Sequence, residues 1–315
     1  MAACKRWMTV ASRRAGRWRI AAPCPVGDPA TLLARLVQAA GGAPVVLGAD
    51  LPLGLPRAYA VRHAAAPDFP AFLRRLAGRP EFFAVCATLA ELSPARPFYP
   101  LRGVAGMTRA AHAAALGLDG PEALCRACDR ATARRPAGAP LFWTLGANQS
   151  GKAAIAAWRD MLVPALNGDA PPLLWPFAGD LLALPVPGRC VVAETYPAEA
   201  LRQLGLVLGG SKRRQDDRAA LAAAFNEVLA AGNARAAPAL SHAIATGFGD
   251  DAAAEDRFDS LLGLLCVVGV LDGRRPGSVP DDPWLRRWEG WVLGQTDLPR
   301  PPPADPRAAG PVAVA

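Results

Sequence analysis

Apolar and polar positions alternate along the chain with two periods. Residues 5–10 and 17–21 are rich in Trp, Val, Ile and Thr and read as strands, with a hairpin turn over 12–16. A helical period follows in "GDPATLLARLVQAAGG". Leu32, Leu33 and Leu36 mark its apolar face, Asp28 is placed as N-cap, and Gly41-Gly42 ends it. The apolar run Val45–Ala49 predicts a short buried strand with Asp50 at its C-terminal end, before the turn-forming "DLPLGLP". Hairpin, helix and strand make an α/β opening.

Later segments continue the pattern. "DFPAFLRRLAG" and "GPEALCRACDRATARR" predict short helices, "SPARPFYPLRGVAG" a loop, and "LFWTLG" a strand. "KAAIAAWRDMLVPAL" predicts a helix ending near Pro164, and "LLWPFAGD" and "RCVVAETYP" extended segments, the second carrying Glu194 at the end of a buried strand. "KRRQDDRAALAAAFNEVLAAG" and "EDRFDSLLGLLCVVGVLDG" predict helices, the latter apolar beyond its first turn. The expected fold is α/β, a mixed sheet flanked by helices. One domain covers residues 1–296, with an inserted helical region at 68–140 supplying a lid or substrate contacts. A Pro-rich tail at 297–315 is expected to be disordered. Trp284, Trp288 and Trp291 either pack the C-terminal segment or form a contact surface.

Composition narrows the function. The chain has 315 residues, 52% of them hydrophobic, and a formal charge of +8. The charge invites a nucleic-acid partner, although Arg outnumbers Lys so heavily that genome composition explains it equally well. Seven cysteines, scattered and odd in number, argue against a disulfide framework and for a reducing cytoplasm. Cys125 and Cys128 form a lone C-x-x-C without the second pair that structural zinc requires, and read as ordinary helix residues. The run at 261–271 is too short to cross a membrane. The first 27 residues hold no acid and several Arg. That resembles a transit peptide, but the hairpin reading is preferred. Oligomeric state is not legible.

"GANQSGKAAI" nearly spells a phosphate-binding loop. Gly146, Gly151 and Lys152 fit, but Ala153 stands where a Mg²⁺-ligating hydroxyl is needed. A turn entering a helix is the simpler reading, with Lys152 facing a phosphate. An NTP-using, sugar kinase-like relative is the weaker alternative.

The acids are more informative. Asp50 and Glu194 close two strands, and Asp256 and Asp259 lie three apart on one helical face. Acids from strand ends and a helix start can converge on one sheet edge, hold divalent cations and activate water for phosphodiester cleavage. Hard oxygen ligands suit Mg²⁺ or Mn²⁺. Each acid also has a structural reading, Asp50 as a turn cap and Asp256 as a charge favoured by the helix dipole.

The stretches "GADLPLGLP", "WTLGANQSGKAAI", "VVAETYPAEAL", "SKRRQDDR", "EDRFDSLLGLL" and "EGWVLGQ", in this order, resemble the bacterial family called domain of unknown function 429, described as predicted RNase H-like nucleases. The resemblance spans residues 5–295. It implies an RNase H-like fold and an acidic metal centre in which Asp50, Glu194, Asp256 and Asp259 are catalytic. Asp50, Glu194 and Asp259 would hold the metal. Lys152, Lys212, Arg213 and Arg214 are expected to meet phosphates. One departure stands out. RNase H-like enzymes carry an acid on the first strand, and nothing before Asp28 is acidic. Either that acid lies upstream of Met1, or the chain lacks it and is a catalytically impaired binder of nucleic acid or a small phosphate ligand.

Overall fold

The computed structural model describes residues 6–146 and 149–300. Eight short strands and eleven α-helices occur among these residues, with further 3₁₀ and π segments between them. The first part holds β1 (Trp7–Met8), β2 (Ala11–Arg14), β3 (Arg17–Ile20), β4 (Cys24–Pro25), α1 (Pro29–Ala39), β5 (Val45–Ala49), α2 (Arg57–His63), α3 (Phe69–Arg75) and α4 (Arg109–Ala115). The second holds α5 (Ser150–Ala157), α6 (Val163–Leu166), β6 (Leu173–Leu174), β7 (Cys190–Glu194), α7 (Pro197–Gln203), α8 (Gln215–Ala219), α9 (Ala222–Ala231), β8 (Ala234–Ala236), α10 (Pro238–Ala245) and α11 (Ala254–Leu271). The fold is mixed α/β, as the sequence pattern predicts.

The strands form three sheets. β5-β7-β6 is parallel, β2-β3-β8 joins an antiparallel hairpin to a parallel third strand, and β1 pairs antiparallel with β4. The expected first strand is therefore split. Residues 7–8 pair with 24–25, and the hairpin arm begins at Ala11. Lys5 lies outside the described residues.

β7 explains the layering. All five of its residues are buried. Cys190 and Val192 enter one hydrophobic core, while Val191 and Ala193 enter another. That is the two-sided burial of a central parallel strand. β5 is half-buried rather than buried, because its outer edge faces a cavity. The first core takes α1, α3, α5, α6 and much of residues 68–140; the second takes α7, α9, α10 and α11. Much of the 68–140 region packs into the first core, with Phe69, Phe98 and Leu124 showing no exposure.

Several boundaries differ from the sequence reading. The helix at 150–166 runs through Pro164, with a π-helical segment at Trp158–Leu162 joining α5 to α6. A π-turn absorbs the backbone irregularity without ending the helix. The helix expected over 212–232 breaks at Ala220–Leu221 into α8 and α9. "LFWTLG" makes one isolated bridge, Tyr99 with Trp143, because its apolar side chains are used in the core rather than in a sheet. Cys125 caps the end of one 3₁₀ turn, Pro121–Leu124, and Cys128 is the middle residue of another, Ala127–Asp129; neither lies in an α-helix. Trp288 and Trp291 are buried and pack the C-terminal segment, while Trp284 is half-buried beneath the Arg57 guanidinium. Residues 297–300 of the expected tail are held against the rest of the chain. Asp297 pairs with Arg134 and Arg202, and the Arg300 N–H donates to the Ala131 carbonyl. Residues 301–315 lie outside the described residues. No helix among the described residues is long and apolar enough to cross a membrane.

Candidate active site

β5 and β7 run parallel in a register that sets Ala49 beside Glu194. Their C-terminal ends share one sheet edge, where open α/β sheets place their sites. Asp50 follows the first strand and Thr195 the second. α11 crosses this edge very closely. A Cβ on Gly48 would fall 2.4 Å from Val267 Cγ2 and 2.8 Å from Thr195 Cγ2, and one on Gly263 would fall 3.1 Å from Thr195 Oγ1. Only glycine permits this approach, and it brings Asp256 and Asp259 in the first turns of α11 over the strand ends.

The turn that carries Asp50 is fixed from three sides. The Leu53 N–H donates to Glu194 Oε2 at 2.7 Å, Trp158 Nε1 donates to the Pro52 carbonyl at 2.8 Å, and the Leu55 N–H donates to the Trp288 carbonyl at 2.7 Å. Gly54, at φ +144°, leaves no room for a side chain, since a Cβ would fall 2.0 Å from the Glu289 carbonyl oxygen.

Asp50, Asp256 and Asp259 line one cavity of about 400 Å³, together with Thr9, Thr195 and Ser260. β1 and β5 form facing parts of its wall, and Thr9 Oγ1 and Ser260 Oγ share a hydrogen bond of 2.7 Å. Asp50 is exposed and lines the cavity, with Asp256 and Asp259 in the same wall. Its carboxyl is pushed up to about 7, first by desolvation and then by Asp259, Glu194 and Asp256, with Lys212 opposing. Asp259 is pushed up to about 6 by burial, against Lys212, with Glu255 and Asp256 adding to the rise. Its Oδ2 accepts a 2.6 Å hydrogen bond from Lys212 Nζ, while its Oδ1 is buried with no partner among the described residues.

Glu194 is placed differently from the other three acids. It does not emerge from the strand end. Arg126, 1% exposed, donates from Nη1 to Glu194 Oε2 at 2.6 Å and from Nη2 to Oε1 at 2.7 Å. The same guanidinium donates to both oxygens of Asp129 at 2.9 Å. Burial pushes the Glu194 carboxyl up and Arg126 pulls it back; the two-pronged geometry is that of an ionised pair. Cys128, Asp129 and Glu194 present ligand atoms within 4.8 Å of one another. The guanidinium between the two carboxylates already supplies the positive charge there. Burial pushes the Cys128 thiol well above its ordinary value and Cys125 to about 12, so neither is a ready thiolate.

Three of the four basic residues expected to meet phosphates are paired within the chain. Lys212 Nζ also lies 3.2 Å from Glu255, Arg213 Nε lies 3.8 Å from Glu255, and Arg214 Nε lies 3.6 Å from Asp217. Buried Arg218 holds their loop by donating to the carbonyls of Lys212, Gly247 and Gly249. Lys152 is exposed in the first turn of α5, whose Ala153 lines the cavity. The near phosphate loop has a packing explanation. The Gly151 N–H donates to the Trp143 carbonyl at 3.0 Å, and a Cβ there would fall 2.7 Å from that oxygen. The amide that a phosphate would need is already bonded.

Sequence reasoning thus placed Asp50, Asp256 and Asp259 together and missed Arg126. The only local signal for it is the R-x-x-D spacing of "CRACD", since its other partner lies 68 positions away. Comparison with protein-family models, with curated proteins and with solved structures found no match.

Proposed function

We propose that the chain is an RNase H-like, divalent-cation-dependent phosphodiesterase acting on nucleic acid, with Asp50, Asp256 and Asp259 as its acidic centre. One observation carries this reading. Three carboxylates from a strand end and a helix start meet in one cavity, where Asp50 rises to about 7 and Asp259 to about 6. Groups so perturbed in a cleft mark a functional site. Among the described residues only Cys128, Asp129 and Glu194 bring ligand atoms within 4.8 Å of one another, so Asp50, Asp256 and Asp259 would have to draw together to hold a hard divalent cation, Mg²⁺ or Mn²⁺, with the orphaned buried Asp259 Oδ1 as one donor. When bound, the cation would supply an activated water and a counter-charge for the leaving oxygen. The chain's own residues do the rest. Glu194 fixes the Asp50 turn through Leu53, Arg126 locks Glu194, and Lys212 orients Asp259. Glu194 is therefore a positioning residue in this reading rather than a metal ligand. The chain order of hairpin, helix and parallel strand is what supports the RNase H-like assignment, while the hairpin pairs with β8 in a sheet separate from β5-β7-β6.

The test is cleavage of labelled RNA and DNA with Mn²⁺ or Mg²⁺ against a chelator control. Activity should vanish in Asp50→Asn and in Asp259→Asn. Undiminished cleavage by Asp50→Asn removes that residue from the centre. A second reading, binding without cutting, is favoured by the absence of any carboxylate from β1 to β4 and by the engagement of Glu194 with Arg126. Salt-sensitive binding with no metal-dependent cleavage would select it.

A further inference from the structure

A separate surface identifies a partner. In the β2-β3-β8 sheet, Ala11, Arg13, Trp18, Ile20, Ala234 and Ala236 share one face. That face packs inward: Ile20 is buried, Trp18 Nε1 donates to Asp272, and Arg13 lies over the Trp18 ring, 3.5 Å from Asp272. The opposite face consists of Ser12, Arg14, Arg17, Arg19 and Arg235, all exposed.

This outer face has one sign of charge. The three strands contain no carboxylate. The register sets Arg14 directly opposite Arg17, and Arg19 directly opposite Arg235. Like charges in facing cross-strand positions destabilise a sheet. A face that sets two such pairs side by side is suited to a ligand that neutralises them. The arginines stand about 4.8 Å apart across strands and roughly 6.6 Å apart along β3, on a rigid ladder. Guanidinium forks match phosphate oxygens two at a time.

We infer that this arginine face binds the phosphate backbone of nucleic acid. An anionic membrane fits less well, because membrane-surface elements insert apolar side chains and the outward residues here are one Ser and four Arg. The inference supplies the substrate class for the proposed phosphodiesterase but does not depend on it, since backbone binding needs no metal.

The experiment is anisotropy of a labelled single-stranded oligonucleotide with the full chain, in chelator, over a salt series. Four phosphate contacts predict a slope of log K against log salt of about −2.8. The variant with Arg14, Arg17, Arg19 and Arg235 each changed to Gln should bring the slope near zero, with melting no lower than wild type because the facing like charges are removed. Arg19→Glu should weaken binding about tenfold. Arg79→Glu, the same charge change at another exposed position, should weaken it by less than about twofold. Equal effects of those two changes, or no binding by the wild-type chain at about 50 mM salt, overturn the inference. Anionic vesicles bound in preference to the oligonucleotide, with that binding lost in the fourfold variant, overturn the choice of partner. Binding without cleavage leaves this surface standing and removes the phosphodiesterase reading.

Discussion

Removing Arg126 tests the electrostatic account of the site most directly. Arg126→Met keeps much of the side-chain volume and deletes the guanidinium. Glu194, 7% exposed in its side chain, then loses hydrogen bonds of 2.6 and 2.7 Å and keeps only the Leu53 N–H. Asp129 loses two bonds of 2.9 Å. Removing one partner of a buried ion pair leaves an uncompensated charge and costs about 3–5 kcal/mol. For a chain of this size that is roughly 5–8 °C in melting temperature. Glu194→Gln should cost less, about 1.5–3 kcal/mol, because Arg126 keeps Asp129 and the lost bonds are those of a charged acceptor. The double variant should lose less than the two singles added together, the sign of coupling between contacting groups. Urea unfolding at neutral pH gives the free energies, and amide exchange at Leu53 reports whether the turn beneath Asp50 has loosened. If Arg126→Met unfolds within about 1 kcal/mol of wild type, the pair does not hold the sheet edge together and the positioning role of Glu194 falls with it.

The acidic cavity makes stability depend on pH in an unusual direction. Asp50 and Asp259 are raised to about 7 and about 6, so the folded chain holds protons that the unfolded chain releases near pH 4. Stability should therefore fall as pH rises from about 4 to about 7 in chelator, and Asp50→Asn should flatten this slope in a pH series of thermal melts. Lys212→Met removes the cation that pairs with Asp259; Mn²⁺ should bind about tenfold more tightly to it by calorimetry, and unchanged affinity would place the ion elsewhere. Gly151→Ala should lower stability through the 2.7 Å approach to the Trp143 carbonyl while Lys152→Ala leaves it unchanged; ATP binding lost in both variants would restore the phosphate-loop reading.

The sequence alone determined what local chemistry dictates. The Asp28 N-cap, the strand Val45–Ala49 and the long helix ending at Leu271 follow from turn residues and periodicity. So do the positions of Asp50 and of the Asp256/Asp259 pair, because a strand end and a helix face are short-range properties. Tertiary structure decided the rest. No periodicity shows that Arg126, in a stretch read as an ordinary short helix, reaches across 68 positions to Glu194. None shows that Lys212 turns inward to Asp259 instead of outward to a phosphate. The like-charged arginines of the hairpin became a surface only when β8, more than 200 residues away, set Arg235 beside Arg19. Burial, ion pairing and strand register depend on which segments meet, and that is fixed by packing of the whole chain.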